Sequence, residues 1–284
     1  MLDVSHIPNQ SDNVWVFYTQ GATAWQTWVK PRKCNFVWIM CIGGGSGGYG
    51  GGGNSAAGNS TGGASGAITR ALFTSNVLPD TLFVQPGTGS IGGIGANSAI
   101  NNPPGTAGRS WVTIIANTSV SMNTVCVSGT AGASGVTNES AATTTVAALL
   151  NLGTFISIGG QATTNVSQVN PLVSNIALCG GGNGSDLGSV AAPNISAVNL
   201  GNTSTPTIAG GAAGGGTGNG GVWNWKPMYG LGGSGGGGNA SGNGGNGGDG
   251  AFGCGGGGGG NGGTGFYGGN GGKGGDGLVI IATF

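Results

Sequence analysis

Gly244-Gly245-Asn246-Gly247-Gly248-Asp249 and Gly268-Gly269-Asn270-Gly271-Gly272-Lys273-Gly274-Gly275-Asp276 repeat a GGX unit, and the second run leads into Leu278-Val279-Ile280-Ile281-Ala282-Thr283-Phe284. A helix repeats near 3.6 residues and a strand at 2, whereas a polyproline-II-like chain has three residues per turn and no internal hydrogen bonds. Edges without side chains can lie against one another, each tract satisfying its neighbour's amides. The same composition, 71 glycines in 284 residues, also suits a flexible linker, because glycine loses more conformational freedom on folding than any other residue. The closing run decides between the two. An apolar, β-branched segment on a disordered tail is an aggregation hazard, so it is expected to be a buried strand and the glycine before it to be ordered.

Outward from that stretch the chain reads as short strands. Val14-Trp15-Val16-Phe17-Tyr18 and Ala24-Trp25-Gln26-Thr27-Trp28-Val29 precede a turn at Lys30-Pro31-Arg32-Lys33. Then comes Asn35-Phe36-Val37-Trp38-Ile39-Met40-Cys41-Ile42, which is apolar on both faces and so suits a central sandwich strand. It breaks into the first glycine block, Gly43-Gly44-Gly45. Further strands are expected over residues 66–73, at Thr81–Gln85, closed by the Pro86-Gly87 turn, and over residues 110–116. Residues 119–208 are richer in Thr, Asn, Ser, Val and Ala, with strand candidates at Thr124–Val127 and over 155–158 and 175–179, and room for a short helix only over 143–152. The expected organisation is 1–118 as the first half of a glycine-rich β domain, 119–208 as a β insertion, and 209–284 as the second half with the closing strand. The fold class is all-β: a β-sandwich, jelly-roll-like, with glycine-rich, polyglycine-II-like loops packed at one end.

Composition limits the partners. Charged residues are 5% of the chain, seven basic against seven acidic, so little opposes self-association and a packed homo-oligomer is expected. No basic stripe exists to neutralise phosphates, which argues against nucleic acid. No stretch approaches the roughly 20 apolar residues of a membrane span. The start, Met1-Leu2-Asp3-Val4-Ser5-His6, lacks a basic region followed by an apolar one, so no secretory signal is expected. Cys34, Cys41, Cys126, Cys179 and Cys254 form no CxxC pair and read as free thiols, with one long-range disulfide left open.

Four landmarks in order carry a resemblance: Thr27-Trp28-Val29-Lys30-Pro31; Val37-Trp38-Ile39-Met40-Cys41-Ile42 into the first glycine block; Leu82-Phe83-Val84-Gln85-Pro86-Gly87-Thr88-Gly89; and Gly274-Gly275-Asp276-Gly277-Leu278-Val279-Ile280-Ile281. Together they resemble the glycine-rich domain of bacteriophage tail fibres and related virion proteins, over residues 14–116 and 209–284. The resemblance implies a virion structural or adhesive module without enzymatic activity, assembled as a homo-oligomer, a trimer, with other virion proteins, and displaying loops to a host surface glycan or protein. Capsid decoration or a head fibre is the competing role, and an extracellular glycine-rich matrix protein is a third.

On a glycine scaffold only the interruptions offer side chains. Trp223, Trp225, Tyr229, Phe252, Phe266, Tyr267 and Tyr49 are therefore the candidates for receptor or interface contact. The plainer reading is that these rings cap a glycine layer or fill a subunit interface. Both Gly244-Gly245-Asn246-Gly247-Gly248-Asp249-Gly250-Ala251-Phe252 and residues 271–279 fit the GGxGxDxUx nonapeptide of calcium β-rolls. The pattern costs one Asp per copy here and lacks tandem aspartates, so Asp249 and Asp276 stand only as calcium candidates, with no metal or cofactor expected. Repeated GxGxxG has no helix after it. His6, the sole histidine, has no nearby nucleophile, and Asp80, Glu139 and Asp186 are scattered, so no catalytic set is expected.

Overall fold

The computed structural model describes residues 13–53, 60–118, 123–129, 151–157, 177–178, 180–185, 191–192, 195–196, 207–225 and 228–284. The expected class holds: the described secondary structure is mostly antiparallel sheet, with one parallel strand pair and no element of α-helix. At the centre stands β3 (Phe36–Ile42), hydrogen-bonded to β14 (Leu278–Thr283) on one side and β4 (Ile68–Thr74) on the other. β1 (Val14–Tyr18) extends this sheet beyond β14, and β8 (Asn151–Ser157) extends it beyond β4. A second sheet runs β2 (Gln26–Val29), β5 (Thr81–Gln85), β6 (Trp111–Thr113) and β7 (Thr124–Val127).

Side-chain alternation along β3 explains its two apolar faces. Val37, Ile39 and Cys41 meet Trp28, Leu82, Val84, Val112 and Cys126 of the second sheet, with Phe17, Phe73, Val279 and Ile281 completing that core. Trp38, Met40 and Ile42 face the other way, into a second cluster with Leu278, Ile280, Leu178, Met228 and Cys254. A small sheet of β9 (Ala177–Leu178), β12 (Trp223–Trp225) and β13 (Met228–Gly230) contributes to that side. A separate two-stranded ribbon pairs β10 (Ile195–Ser196) with β11 (Thr207–Ile208).

Of the section expected as an insertion, β7 joins one sheet, β8 the other, β9 the small sheet and residues 180–185 the glycine layer, while β10 and β11 form the separate ribbon. Of the expected short helix, residues 143–150 lie outside the described residues, and Asn151 and Leu152 begin β8 instead. Among the described residues no helix is long and apolar enough to cross a membrane.

Glycine tracts leave the sandwich where strands end. β3 runs into residues 43–53, and the chain returns through 60–66 to β4. β5 runs into 87–96; β13 runs into 231–239, followed by 242–250, 253–263 and 267–277, which re-enters at β14. Residues 253–263 are buried throughout and form the axis. Gly256, Gly259 and Gly262 donate N–H bonds to Ser46, Tyr49 and Gly52; Gly257 and Gly260 donate to Gly248 and Gly245; Gly258 and Asn261 donate to Gly182 and Ser185. Their carbonyls accept in turn: Gly255, Gly258 and Asn261 from Gly233, Gly236 and Asn239, Gly257 and Gly260 from Gly272 and Gly269, and Gly256 from Gly63. These distances are 2.7 to 3.1 Å. Successive residues thus point at different neighbours and the pattern recurs every third residue, which is the threefold screw that the GGX rhythm predicts. Sheet geometry, with its period of 2, cannot make this pattern.

Close approach, not turn geometry, requires the glycine. A Cβ on Gly257 would overlap the Ser234 carbonyl, 2.5 Å from its carbon and 2.9 Å from the Gly233 oxygen, whereas a Cβ on Gly220 would find its nearest neighbour at 3.8 Å. Gly257→Ala is therefore expected to destabilise the protein by about 3 kcal/mol or more. Gly220→Ala should stay within about 0.5 kcal/mol of the parent in denaturant unfolding, the value for a surface change that touches nothing.

Candidate functional site

Where the bundle meets the sandwich, four rings form a continuous chain. Trp223 and Trp225 share one face of β12, because they are two apart on a strand. Trp225 stands edge-on to Trp223 (5.5 Å, 77°), Trp223 edge-on to Phe252 (5.8 Å, 85°), and Phe252 tilts against Tyr18 at the end of β1 (5.5 Å, 43°). Such offset and edge contacts suit the ring quadrupoles. Trp223 lies opposite Gly230 in the β12–β13 register, where a Cβ on Gly230 would come within 2.9 Å of the indole. Phe252 is carried on a tight turn in which Cys254 N–H bonds the Ala251 carbonyl and Gly253 takes φ +68.

Beside the rings, a pocket of about 350 Å³ is lined by Trp223, Phe252, Asp249, Lys273 and Asp276, the rest being glycine and Ala251. Its polar members are X residues of adjacent GGX runs. The two runs lie side by side, offset by 24 residues, so that X side chains of the first accept from X amides of the second: Asn243 Oδ1 from Tyr267 N–H (3.0 Å), Asn246 Oδ1 from Asn270 N–H (2.8 Å) and Asp249 Oδ1 from Lys273 N–H (2.7 Å). The second run repeats the device on residues 87–96: Asn270 Oδ1 accepts from Gly95 N–H and Asp276 Oδ1 from Gly89 N–H, both at 2.8 Å. Lys273 Nζ also reaches Asp276 Oδ1 at 3.1 Å. This edge ladder is the functional pattern the sequence reading missed; its signal is the equal spacing of two GGX runs rich in Asn and Asp.

The sequence candidates are thus distributed over four places. Trp223, Trp225 and Phe252 come together, and Asp249 and Asp276 join them at the pocket. Both aspartates hold backbone amides, and among the described residues no three His, Cys, Asp or Glu side chains converge on a metal position. Tyr229 pairs with Asn224 on β13 and so points to the opposite face from Trp223 and Trp225. Phe266 and Tyr267 are exposed at the far end of the bundle, in the turn where Phe266 N–H bonds the Gly263 carbonyl. Tyr49 lies half-buried within the bundle, its carbonyl held by Gly259. Tyr18 and Lys273 belong to the site without having been singled out, one hidden in an ordinary strand and the other in a repeat. Asp80 pairs with Lys30 at 3.2 Å, while His6, Glu139, Asp186 and Cys179 lie outside the described residues.

Cys34, Cys41, Cys126 and Cys254 are free thiols. Burial pushes the Cys41 thiol well above its usual range, and the adjoining Cys126 adds to the rise.

The architecture defines the class: an all-β sandwich crowned by a bundle of hydrogen-bonded glycine tracts. The chain belongs to the glycine-rich domain family, whose model matches residues 19–283. No curated protein matches the sequence.

Two outcomes follow from this geometry. Asn246→Ala removes an acceptor from an exposed edge and is expected to lower stability by about 0.5–1.5 kcal/mol, while Asn246→Asp, which keeps Oδ1, should not; denaturant unfolding checks both. Because the Cys41 pKa is raised on folding, its contribution is present below the unfolded value near 8.5 and is lost as pH rises from there toward the folded value. Maleimide at pH 8 should label the half-buried Cys34 in the native protein and Cys41 only after unfolding, read by peptide mass spectrometry.

Proposed function

We propose that this chain is a non-enzymatic virion structural protein: a tail-fibre or adhesin component that assembles as a homo-oligomer, a trimer, and holds loops against a host surface. The observation that carries the reading is the bundle itself. Its axis over residues 253–263 is buried, is glycine apart from Cys254 and Asn261, and is braced by backbone bonds on all sides, so it suits a rigid spacer. Ten residues at about 3.1 Å each lift the far turns roughly 30 Å off the sandwich, and Phe266 and Tyr267 are exposed there. Loops on a stiff scaffold are the usual place for recognition. The four sequence landmarks support this role.

Ile91 and Ile94 favour the second reading, capsid decoration. They stand three residues apart on the flank of the bundle, 70% and 72% exposed, as a lateral contact with neighbouring shell subunits would need.

Antibody against this chain, applied to purified particles in electron microscopy, is expected to mark the tail tip, and recombinant protein is expected to bind host cells. Label over the shell, with binding to bare capsids and none to cells, would transfer the role to decoration. Unlabelled particles would end the virion assignment.

A further inference from the structure

The charges in the GGX runs are misplaced if the runs are only scaffold. Asn243 and Asn246 occupy the same position in their tract as Asp249, and make the same bond to the neighbouring tract. Asn270 likewise stands three residues before Lys273 and six before Asp276. Asparagine therefore suffices for the ladder, and in a chain with seven basic and seven acidic residues the charged substitutes appear at the end where the runs meet the aromatic rings. We infer that the pocket lined by Trp223, Phe252, Asp249, Lys273 and Asp276 is a saccharide site that takes a pyranose residue.

Size, shape and chemistry converge on that ligand. At about 350 Å³ the pocket is at the small end of ligand sites, which run from about 300 to 1,000 Å³. A pyranose has a face of C–H bonds, which aromatic rings attract through their negative faces, and a rim of hydroxyls that both donate and accept. The polar lining matches the rim: carboxylates that only accept, and an ammonium that only donates. Each carboxylate is anchored through Oδ1 by a backbone N–H, which fixes where Oδ2 points before any ligand arrives. Such preorganisation lowers the cost of binding. A cationic ligand, the other guest of aromatic sites, is opposed by Lys273, which already neutralises Asp276 at 3.1 Å.

This inference deepens the adhesive reading and rests on it for the source of the sugar, a host surface glycan. The test uses the full chain in saturation-transfer NMR against methyl glycosides of glucose, galactose, mannose and N-acetylglucosamine, with tetramethylammonium as the cationic comparison. At least one glycoside should bind. Asp249→Asn and Lys273→Asn should each weaken it by about tenfold or more, the effect of losing one charged hydrogen bond. Both variants install the residue that the same tracts already use, so they should fold. Asn243→Asp, at the far end of the run, should leave binding unchanged. No glycoside binding, binding indifferent to both pocket variants, or binding of tetramethylammonium alone would overturn the site. Glycoside binding without adherence to host cells would keep the site and end the adhesive reading; adherence without glycoside binding would do the reverse.

Discussion

Hydrogen bonding of residues 253–263 to the tracts around them is the interaction on which the other half of the molecule depends. A buried amide left unpaired costs about 1–3 kcal/mol, while a paired one nets about 0.5–1.5 kcal/mol. Ordering a glycine costs about 0.5–1 kcal/mol more than ordering an alanine. Gain and cost per residue are therefore similar, and the bundle has little margin of its own. What makes it stable is its attachment: tracts enter from strands whose side chains are fixed in the two hydrophobic clusters on either face of β3. Because each tract satisfies several others, they are expected to form or melt as one unit.

The attachment also sets position. β3, β4, β5, β13 and β14 deliver or receive tracts at one end of the sandwich, so strand register fixes the phase of each threefold screw. Two places for chemistry result. Turns at the far end expose Phe266 and Tyr267, and the junction collects Trp223, Phe252 and the last X residues of two GGX runs. Between them the buried axis is glycine apart from Cys254, packed into a hydrophobic cluster, and Asn261, whose Oδ1 accepts from Gly52 N–H.

At the bundle surface an outer tract lacks a neighbour on one side, and its amides need another acceptor. Asn and Asp at X supply it from the adjoining run. Lysine cannot accept, so Lys273 contributes nothing to this bracing through its side chain and is available to Asp276 and the pocket.

The sequence by itself determined the period and the class. GGX spacing implies three residues per turn, and the apolar run at 278–284 implies a buried closing strand, because both are local consequences of residue type. The two-faced apolarity of residues 36–42 placed that strand centrally for the same reason. It could not show which tracts are neighbours, since glycine carries no side chain to specify a partner and every tract reads alike. Nor could it show that Asp249 braces Lys273 across 24 residues, that Tyr229 faces away from Trp223 and Trp225, or that Tyr18 joins Phe252. Those contacts are set by strand register and by how the sandwich phases the bundle, and only the tertiary structure decides them.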